Sequence, residues 1–372
     1  MFLQLFTVVM TLVALYVCGR LVLPLPYALG WRLLGCAGVL LAANRITIVR
    51  LFDVRLSDAA LLVTSWIQAS VLVLFMLCLA ADVVSLVLRL SVPPVARAAV
   101  LGAAALLLGV YGVAQAVRVP PVRETPVVLR GLPPELDGMR IAVLADLHVG
   151  PLFRRPWVER VVDATLAAKP DLIVLPGDVV DGPLDSLAAD MAPLARLRAP
   201  LGVFVSPGNH EYIYGVEERL RSFAVLGMTV LYNGHAVVDA GGATLVVAGL
   251  ADRAGGHRPG KAPDMDAALA GAPEPGAAAF RLLLAHHPAV AAEAAAHGVG
   301  LQISGHTHGG QLLPMRPLSA WLNGGYVGGW YEVGGMALLV ANGAGLWSGT
   351  PVRLGVPSAI DVVRLVRRGE KP

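Results

Sequence analysis

Long apolar runs dominate the first third of the chain and most constrain how it can fold. Residues 2–17, 59–81 and 98–117 approach or reach the roughly 20 apolar residues that a helix needs to cross a bilayer. Residues 1–118 contain no lysine, glutamate or histidine, and their only acids are Asp53, Asp58 and Asp82. This pattern predicts transmembrane helices rather than core helices of a soluble protein.

A further apolar stretch, residues 21–43, is interrupted by Pro24, Pro26 and Arg32. It fits either a full span or a re-entrant segment, so we expect about four transmembrane helices within residues 1–118. The first stretch lacks a basic leader and a small-residue cleavage site, which favours a permanent anchor over a removable signal peptide. The chain is therefore predicted to be an integral protein of the cell membrane.

Arginines at the ends of the apolar runs bear on orientation. With four spans, five arginines share a side with the rest of the chain: Arg45, Arg50, Arg55, Arg118 and Arg123. Four lie opposite: Arg20, Arg32, Arg89 and Arg97. Because positive residues favour the cytoplasmic side, the small excess predicts a cytoplasmic C-terminal domain, and loss of the second span would reverse this. Asp82 is expected to be an interfacial residue at a helix end.

The composition changes near residue 118, after which all the histidines occur. We predict a membrane segment at 1–118, a Pro-rich linker at 119–125 and a polar domain at 126–372. The cysteines Cys18, Cys36 and Cys78 all precede the polar domain, which fits a reducing compartment. The net charge of +3 is mild, so no nucleic-acid surface is expected, and no obligate protein partner is evident.

Within the polar domain, short β-rich runs alternate with amphipathic helical stretches. The predicted strands are 139–145, 172–175, 201–206, 244–249, 281–285 and 301–304. The predicted helices are 155–168, 184–196, 216–226 and 289–297. This alternation indicates an α/β domain whose sheet is largely buried on both faces, and in such sheets ligands gather beyond the carboxyl ends of the strands.

Polar motifs follow five of these strands. They are Asp146-Leu147-His148, Gly177-Asp178-Val179-Val180-Asp181, Gly208-Asn209-His210, His286-His287, and Gly305-His306-Thr307-His308-Gly309-Gly310-Gln311. Residues two apart in an extended stretch point to the same side, so Asp146 and His148 can share one cation. Each motif alone is more often an ordinary turn or strand end. Together, in this order, they indicate a metal centre.

The ordered set resembles the calcineurin-like metallophosphoesterases, over roughly residues 126–364. The 305–311 motif, with Gly345 and Pro351-Val352-Arg353-Leu354-Gly355 downstream, resembles a bacterial branch that often carries N-terminal membrane segments. The resemblance implies a four-layer α/β/β/α sandwich with a two-metal site. It also implies hydrolysis of phosphate mono- or diesters by in-line attack of a metal-bridging hydroxide.

Roles carry over from the resemblance residue by residue. The implied ligands of the first metal are Asp146, His148, Asp178 and His308, and those of the second are Asp178, Asn209, His286 and His306. His210 is implied to protonate or stabilise the leaving oxygen, with Asp181 fixing its tautomer. Glu211 is expected to brace the loop. The donor set suits two divalent ions, Mn²⁺, Fe or Zn²⁺.

Two stretches leave alternatives open. Residues 251–279 are rich in Gly, Ala and Pro and form either a flap that grips phosphate or a solvated loop. Their Arg253 and Arg258, with His287, are the substrate-binding candidates. Residues 312–330 carry Trp321, Tyr326 and Trp330, which either contact a bilayer or pack on the domain edge.

One departure from the family pattern concerns residues 357–360, Pro-Ser-Ala-Ile, where relatives commonly carry an acid after the proline. It affects a peripheral contact and none of the implied ligands. The leading hypothesis is a membrane-anchored phosphoesterase that binds the bilayer and acts on a phosphate ester such as a phospholipid or a lipid-linked pyrophosphate. The alternatives are a phosphodiesterase for soluble nucleotides and a non-catalytic, metal-stabilised regulatory module.

Overall fold

The structure is a computed structural model that describes residues 2–52, 54, 56–256 and 260–368. The chain divides into two compact units. The helical unit comprises Met1–Ala116 and Gly349–Leu354, and the α/β unit comprises Val117–Ser348 and Gly355–Pro372. Arg55, one of the arginines predicted to flank the membrane segments, and Asp53 both lie outside the described residues.

The helical unit contains five α-helices in chain order. They are α1 (Phe2–Val17), α2 (Leu29–Ala43), α3 (Arg45–Leu51), α4 (Asp58–Leu88) and α5 (Pro94–Val117), and a short π-helix, Cys18–Val22, follows α1. Among the described residues, three helical segments are long and apolar enough to cross a membrane: Leu3–Val22, Asp58–Leu88 and Pro94–Val117. The consecutive helices α2 and α3 pass the same test only together, with a bend of 72° between them. The number of candidate spans is therefore three, or four if the bent pair is one span.

Polar side chains organise the helical unit, and Asp82, which was predicted at a helix end, lies inside α4. Ser57 begins α4, since its Oγ accepts the N–H of Ala60 at 3.3 Å. The Asp82 carboxylate of α4 accepts hydrogen bonds from Tyr16, Arg20 and Arg97. Asp82 is thus ion-paired with Arg20 and Arg97 and hydrogen-bonded to Tyr16, rather than an isolated acid.

The segment Gly349–Leu354 joins the helical unit although it lies far along the chain. The N–H of Arg353 donates to the carbonyl of Gly112 on α5 at 3.0 Å. A Cβ on Gly112 would come within 2.6 Å of Val352 Cγ2, so the missing side chain permits this close approach. An irregular segment is thereby held against a helix by a backbone hydrogen bond.

The described part of the α/β unit contains twelve strands in two six-stranded sheets. They are β1 (Val122–Leu129), β2 (Arg140–Val143), β3 (Leu172–Pro176), β4 (Val203–Ser206), β5 (Thr229–Val230), β6 (Gly234–Ala240), β7 (Ala243–Gly249), β8 (Ala279–Leu284), β9 (Leu301–Ser304), β10 (Gly329–Val333), β11 (Met336–Val340) and β12 (Ile360–Arg367). The first sheet has the order β1-β12-β2-β3-β4-β5, and the second has the order β10-β11-β9-β8-β7-β6. In the first sheet β2, β3, β4 and β5 run parallel, and in the second β7, β8, β9 and β11 do.

Seven α-helices accompany the sheets. They are α6 (Arg155–Ala167), α7 (Leu184–Met191), α8 (Asn209–Ile213), α9 (Val216–Val225), α10 (Met265–Leu269), α11 (Ala291–Ala296) and α12 (Arg316–Leu322). The main core lies between the sheets, where Ile141 and Val174 of the first meet Leu245 and Leu282 of the second. A second cluster joins the outer face of the second sheet to α10 and α11. The predicted α/β/β/α sandwich is confirmed.

The chain enters the sheet earlier than predicted. Residues 122–125, predicted as linker, form the first half of β1, which pairs in parallel with β12. Pro126 lies inside β1, where its missing N–H is tolerated because β1 is an edge strand. All six predicted strands are present, whereas β1, β5, β6, β10, β11 and β12 were not predicted.

Candidate metal centre

The polar motifs follow parallel strands whose carboxyl ends meet at one edge of the sandwich. Backbone hydrogen bonds tie the turns together: Asp146 N–H donates to Gly177 O at 3.2 Å, and Gly305 N–H donates to His286 O at 3.0 Å. The two sheets are also linked, since Ala344 N–H donates to Ala145 O at 2.8 Å. The fold therefore brings motifs that are distant in sequence to one place.

One group of donor atoms comprises Asp146, His148 and His308, all buried. The Nε2 atoms of His148 and His308 lie 3.3 Å apart. His308 Nε2 lies 3.9 Å from Asp146 Oδ1, and His148 Nε2 lies 3.8 Å from Asp178 Oδ2. Ligands that bind one ion at about 2.0–2.2 Å lie roughly 3–4 Å from one another, so these separations suit a shared cation.

A second group adjoins the first. His286 Nε2 lies 3.2 Å from Asp178 Oδ2 and 3.1 Å from Asn209 Oδ1. His306 Nδ1 lies 2.9 Å from the same Asn209 oxygen. The structure thus brings together every residue that the sequence predicted for the second metal.

Asp178 lies between the two groups. Its Oδ2 is within 3.9 Å of the Nε2 atoms of His148, His210 and His286. A carboxylate in this position can contribute oxygen to cations on both sides. Its other oxygen accepts the N–H of His210 at 2.8 Å, which orients the carboxylate.

Asp181 holds two imidazoles at once. Its Oδ1 contacts Nδ1 of His210 at 2.5 Å, and its Oδ2 contacts Nδ1 of His148 at 3.0 Å. The Nε2 atoms of both rings are therefore free to point toward the centre, because a carboxylate on Nδ1 favours a proton there. The predicted pairing of Asp181 with His210 is present, and its pairing with His148 was not anticipated.

Glu211 supports the turns rather than facing a substrate. This buried carboxylate accepts backbone N–H groups from Gly208 at 2.7 Å, Asp178 at 2.9 Å and Val179 at 2.9 Å. The turns that follow β3 and β4 are thereby joined through one side chain. This agrees with the bracing role expected for Glu211.

Most of the proposed ligands have an unusual backbone conformation. Five have positive φ: Asp146 (54°), His148 (48°), Asp178 (53°), His306 (69°) and His308 (49°). Residues other than glycine rarely adopt this left-handed region, and such strain concentrates at functional sites. Asp and His adopt this region more often than most other residues, but the sequence does not indicate at which positions they do so.

The buried charges of the centre shift the pKa values of its groups in different directions. Burial would raise the pKa of the Asp178 carboxyl, but the charges of His286 and His210 hold that pKa well below its usual value. Burial lowers the pKa of His210, but the carboxylates of Asp178 and Asp181 outweigh burial and raise that pKa to about 9. Burial, with the nearby His286, lowers the pKa of His306 to about 3. Asp178 is thus ionised and His306 neutral, the states in which these groups bind metals.

Asp146 provides the clearest test of whether these residues fit a metal. Its side chain is fully buried, and among the described residues its Oδ2 has no hydrogen-bond partner. Burial raises the pKa of this carboxyl, as expected where an acid lacks compensation. A divalent cation beside Asp146 would supply that compensation. The residues present therefore fit the metal ions that the family implies.

The three residues predicted to bind substrate, His287, Arg253 and Arg258, differ in their surroundings. The ring centroid of His287 lies 4.6 Å from that of His306, and burial, followed by the Arg253 cation, lowers the pKa of His287 to about 4. Arg253 lies in the short helix Arg253–Gly255 and is exposed. Arg258 lies outside the described residues. Part of the 251–279 stretch is packed rather than solvated, because Met265 and Ala268 of α10 join a core cluster.

Trp347 is a neighbour of the centre that sequence reasoning missed. Its ring centroid lies 6.1 Å from that of His210. It follows β11, whose carboxyl end meets the same edge, so a strand assignment for residues 336–340 would have located it. The turn between β11 and Trp347 also contacts the centre, because Gly345 N–H donates to Asp146 O at 2.9 Å.

The two-sheet sandwich and its Asp–His centre define an α/β metallophosphoesterase domain. A family model described as calcineurin-like phosphoesterase matches residues 139–310. An uncharacterised metallophosphoesterase of Aquifex aeolicus is 34% identical over 237 residues, covering 63% of this chain and 88% of that protein. The chain belongs to the calcineurin-like metallophosphoesterase family.

Two other relatives are longer than the matched region. An uncharacterised metallophosphoesterase of Helicobacter pylori is 35% identical over 253 residues, covering 68% of this chain and 65% of that protein. A Danio rerio protein named as a transmembrane protein with metallophosphoesterase domain is 33% identical over 266 residues, covering 68% of this chain and 59% of that protein. The chain thus spans less than two thirds of the length of these two relatives.

Proposed function

We propose that this chain is a membrane-anchored phosphoesterase that uses two divalent metal ions. The observation that carries the proposal is the pair of adjoining donor groups that share the Asp178 carboxylate. Asp146, His148, Asp178 and His308 would hold one ion. Asp178, Asn209, His286 and His306 would hold the other. When bound, such a pair of ions acidifies a water molecule and offsets charge on the phosphoryl oxygens.

The side chains around the ions would orient the substrate and move the proton. His210 is held through Nδ1 by Asp181, which leaves Nε2 available to donate a proton to the leaving oxygen. The His287 ring lies beside that of His306, and the Arg253 cation acts on His287, so we infer that both side chains would contact the phosphate ester.

The membrane anchor rests on the apolar helices and on family context. Three helical segments are long and apolar enough to span a bilayer, and the Danio rerio relative is named as a transmembrane protein. We place the α/β unit on the cytoplasmic side from the arginine distribution. Anchoring favours a substrate at the bilayer, a phospholipid or a lipid-linked pyrophosphate, over a soluble nucleotide.

The direct test combines metal content with hydrolysis. The full chain in detergent is stripped with chelator and reloaded with Mn²⁺, Fe²⁺ or Zn²⁺, and bound metal is counted by mass spectrometry. Hydrolysis of p-nitrophenyl phosphate and bis-p-nitrophenyl phosphate is then measured. We expect two ions per chain and metal-dependent turnover. Two bound ions without turnover on either ester would favour a regulatory module instead.

The shared carboxylate has its own variant. Asp178→Asn should lower metal occupancy and abolish turnover, because an amide cannot bridge two cations as a carboxylate does. Asp239→Asn is the matched control, since exposed Asp239 caps the hairpin turn at Gly242 N–H and is remote from the centre in sequence and sheet position. Unchanged occupancy and rate in Asp178→Asn would contradict the bridging role.

A further inference from the structure

An exposed and almost uncharged segment follows the 305–311 motif directly. Residues 312–322 comprise the short helix Leu313–Met315 and α12, with Arg316 as their only charged residue. Four large apolar side chains form what we call the α12 surface: Leu313 (59% exposed), Leu318 (48%), Trp321 (77%) and Leu322 (62%). These side chains are not packed into the domain core.

The exposed side chains share one side of the helix. Leu318, Trp321 and Leu322 have the i, i+3, i+4 spacing that places helical residues on one face. The other aromatics of the stretch are packed: Tyr326 stacks edge-on against Tyr331, and Trp330 contacts the inter-sheet core. Contiguous exposed apolar residues mark docking sites, and Trp and Leu without acids are typical of helices that lie in a membrane interface.

The α12 surface is rigidly connected to the metal centre. The Arg316 guanidinium donates to the carbonyls of Gly309 at 3.2 Å and Gly328 at 3.4 Å. Thr307, between the two histidines of the motif, donates from Oγ1 to Val327 O at 2.7 Å. The turn that positions His308 and the helix that carries the apolar surface are thus one structural element.

We propose that the α12 surface inserts into the head-group region of the leaflet that holds the chain's own helices. The α/β unit is covalently continuous with the helical unit at Val117 and again on both sides of Gly349–Leu354, so its surface is confined near a bilayer if those helices span one. Seven residues of helix measure roughly 10 Å, too short to cross the hydrocarbon but suited to lie along it. Arg316 is the only charge in the segment, and it is satisfied by backbone carbonyls.

One consequence rests on the proposed function. Insertion of the α12 surface would present the turn of His308 to phosphate groups at the lipid surface. The substrate would then be a phosphate ester that stays embedded in the leaflet. This identifies a substrate class, lipids with an exposed phosphoester, rather than a diffusing nucleotide.

Tryptophan quenching by brominated lipid tests the insertion without reference to activity. The full chain is reconstituted in bilayers of phosphatidylcholine with or without dibrominated acyl chains. The emission lost in Trp321→Phe reports Trp321, and we expect that component to be at least halved in the brominated bilayer. The matched control is Val225→Trp in the Trp321→Phe background, because Val225 on α9 is also apolar and 87% exposed. Equal quenching of that tryptophan would mean that the signal is not specific to the α12 surface.

Two results would overturn the insertion. An unquenched Trp321 component would place the α12 surface away from the acyl chains. An unquenched component combined with chemical cross-linking of two chains through this surface would assign it to a second copy instead.

Activity measurements then separate insertion from hydrolysis. The double variant Trp321→Ser, Leu322→Ser should raise KM for phosphatidic acid in phosphatidylcholine vesicles by about tenfold while leaving p-nitrophenyl phosphate turnover unchanged. Val225→Ser should change neither. Equal KM for vesicle substrate in the variant and the wild type would contradict the coupling of α12 to substrate access. If neither ester is hydrolysed, the proposed function fails, and quenching alone decides the insertion.

Discussion

At the scale of single residues, Asp181 contacts both a proposed metal ligand and the proposed proton donor. One oxygen holds the Nδ1 side of His148, a proposed ligand, and the other holds the same side of His210, the proposed proton donor. Both rings are therefore oriented by one carboxylate. The Nε2 atoms of His148 and His210 lie 3.8 and 3.9 Å from Asp178 Oδ2. Small differences in position therefore decide which ring serves as a ligand and which as a proton donor.

Replacing His210 by glutamine should separate proton transfer from metal binding. His210→Gln should retain both metal ions and lower kcat by roughly 10²- to 10⁴-fold, the usual contribution of a general acid. Metal content by mass spectrometry and turnover of a phosphate ester with an alkyl leaving group provide the measurement. The loss should be smaller for an aryl ester with a low leaving-group pKa, because a good leaving group needs less protonation.

The control for this change is His235→Gln. His235 bonds through Nδ1 to the carbonyl of Ala268 and lies on β6, at the far edge of the second sheet from β11. Its replacement should leave turnover intact. Loss of one metal ion in His210→Gln would identify His210 as a ligand and refute its assignment as the acid.

The residue types and their order were predictable from the sequence, but their conformation was not. Asp146, Asp178 and His286 each follow an apolar run, and that pattern is local. The positive φ of Asp146 and Asp178 depends on backbone hydrogen bonds between turns more than 30 residues apart, so no local pattern encodes it. The approach of Trp347 to His210 likewise depends on packing of the two sheets.

At the scale of elements, the backbone of the turn between β4 and α8 lies very close to the proposed ligand Asp178. A Cβ on Gly208 would lie 2.3 Å from Asp178 Oδ1 and 2.6 Å from Asp178 N. Gly208 N–H also donates to Glu211. The glycine thus permits the turns after β3 and β4 to meet.

Gly208→Ala should therefore displace the shared carboxylate. We expect reduced metal occupancy and a loss of turnover of at least 10²-fold, since misplacement of catalytic groups by about 1 Å has effects of this size. Gly276→Ala is the matched control, because a Cβ there meets nothing within 4 Å. Wild-type occupancy in Gly208→Ala would show that the turn can relax without cost.

Strand β12 contains a second testable element, the partly buried Asp361. Burial raises the pKa of this carboxyl from 3.8 to about 6, although the Arg123 cation opposes the shift. The folded state therefore binds this proton more tightly than the unfolded chain. Stability from the protonated form is fully present below pH 3.8 and is lost as pH rises through about 6.

Asp361→Asn should remove that pH dependence. As the pH rises from 4.5 to 7.5, the free energy of unfolding of the variant should increase by roughly 1–2 kcal/mol relative to that of the wild type. This is less than the full pKa shift implies, because the side chain retains some solvent contact. Thermal unfolding of the full chain in detergent at both pH values provides the comparison. If the variant and the wild type differ in free energy of unfolding by the same amount at pH 4.5 and at pH 7.5, Asp361 titrates normally in the folded protein.

The elements that the sequence did not reveal lie mainly at sheet edges. Strands β1, β10, β5 and β6 occupy the edges, where one side lacks a partner and the apolar pattern is weak. Thr229–Val230 contributes only two residues to β5, too few for any periodicity. Strand β12 is central, but it pairs with β1 from far along the chain, and the 357–360 departure obscured its start.

At the scale of the whole molecule, the helical unit is built from two stretches that are distant in sequence. The chain leaves the α/β unit after Ser348, contributes Gly349–Leu354 to the helical unit, and returns at Gly355. The segment is irregular but well covered by protein, since Arg353 is only 1% exposed. No composition signal marks the excursion, because its residues resemble an ordinary turn.

The excursion should depend on Gly112. Gly112→Leu would force side-chain atoms into the space occupied by Val352 and Leu354, and the N–H of Arg353 would lose its acceptor on α5. We expect faster hydrogen exchange across Gly349–Leu354, measured by mass spectrometry on the full chain in detergent. Gly102→Leu is the matched control, since a Cβ on Gly102 of the same helix meets nothing within 4 Å. Equal exchange in both variants would mean that the segment is held by contacts other than its approach to Gly112.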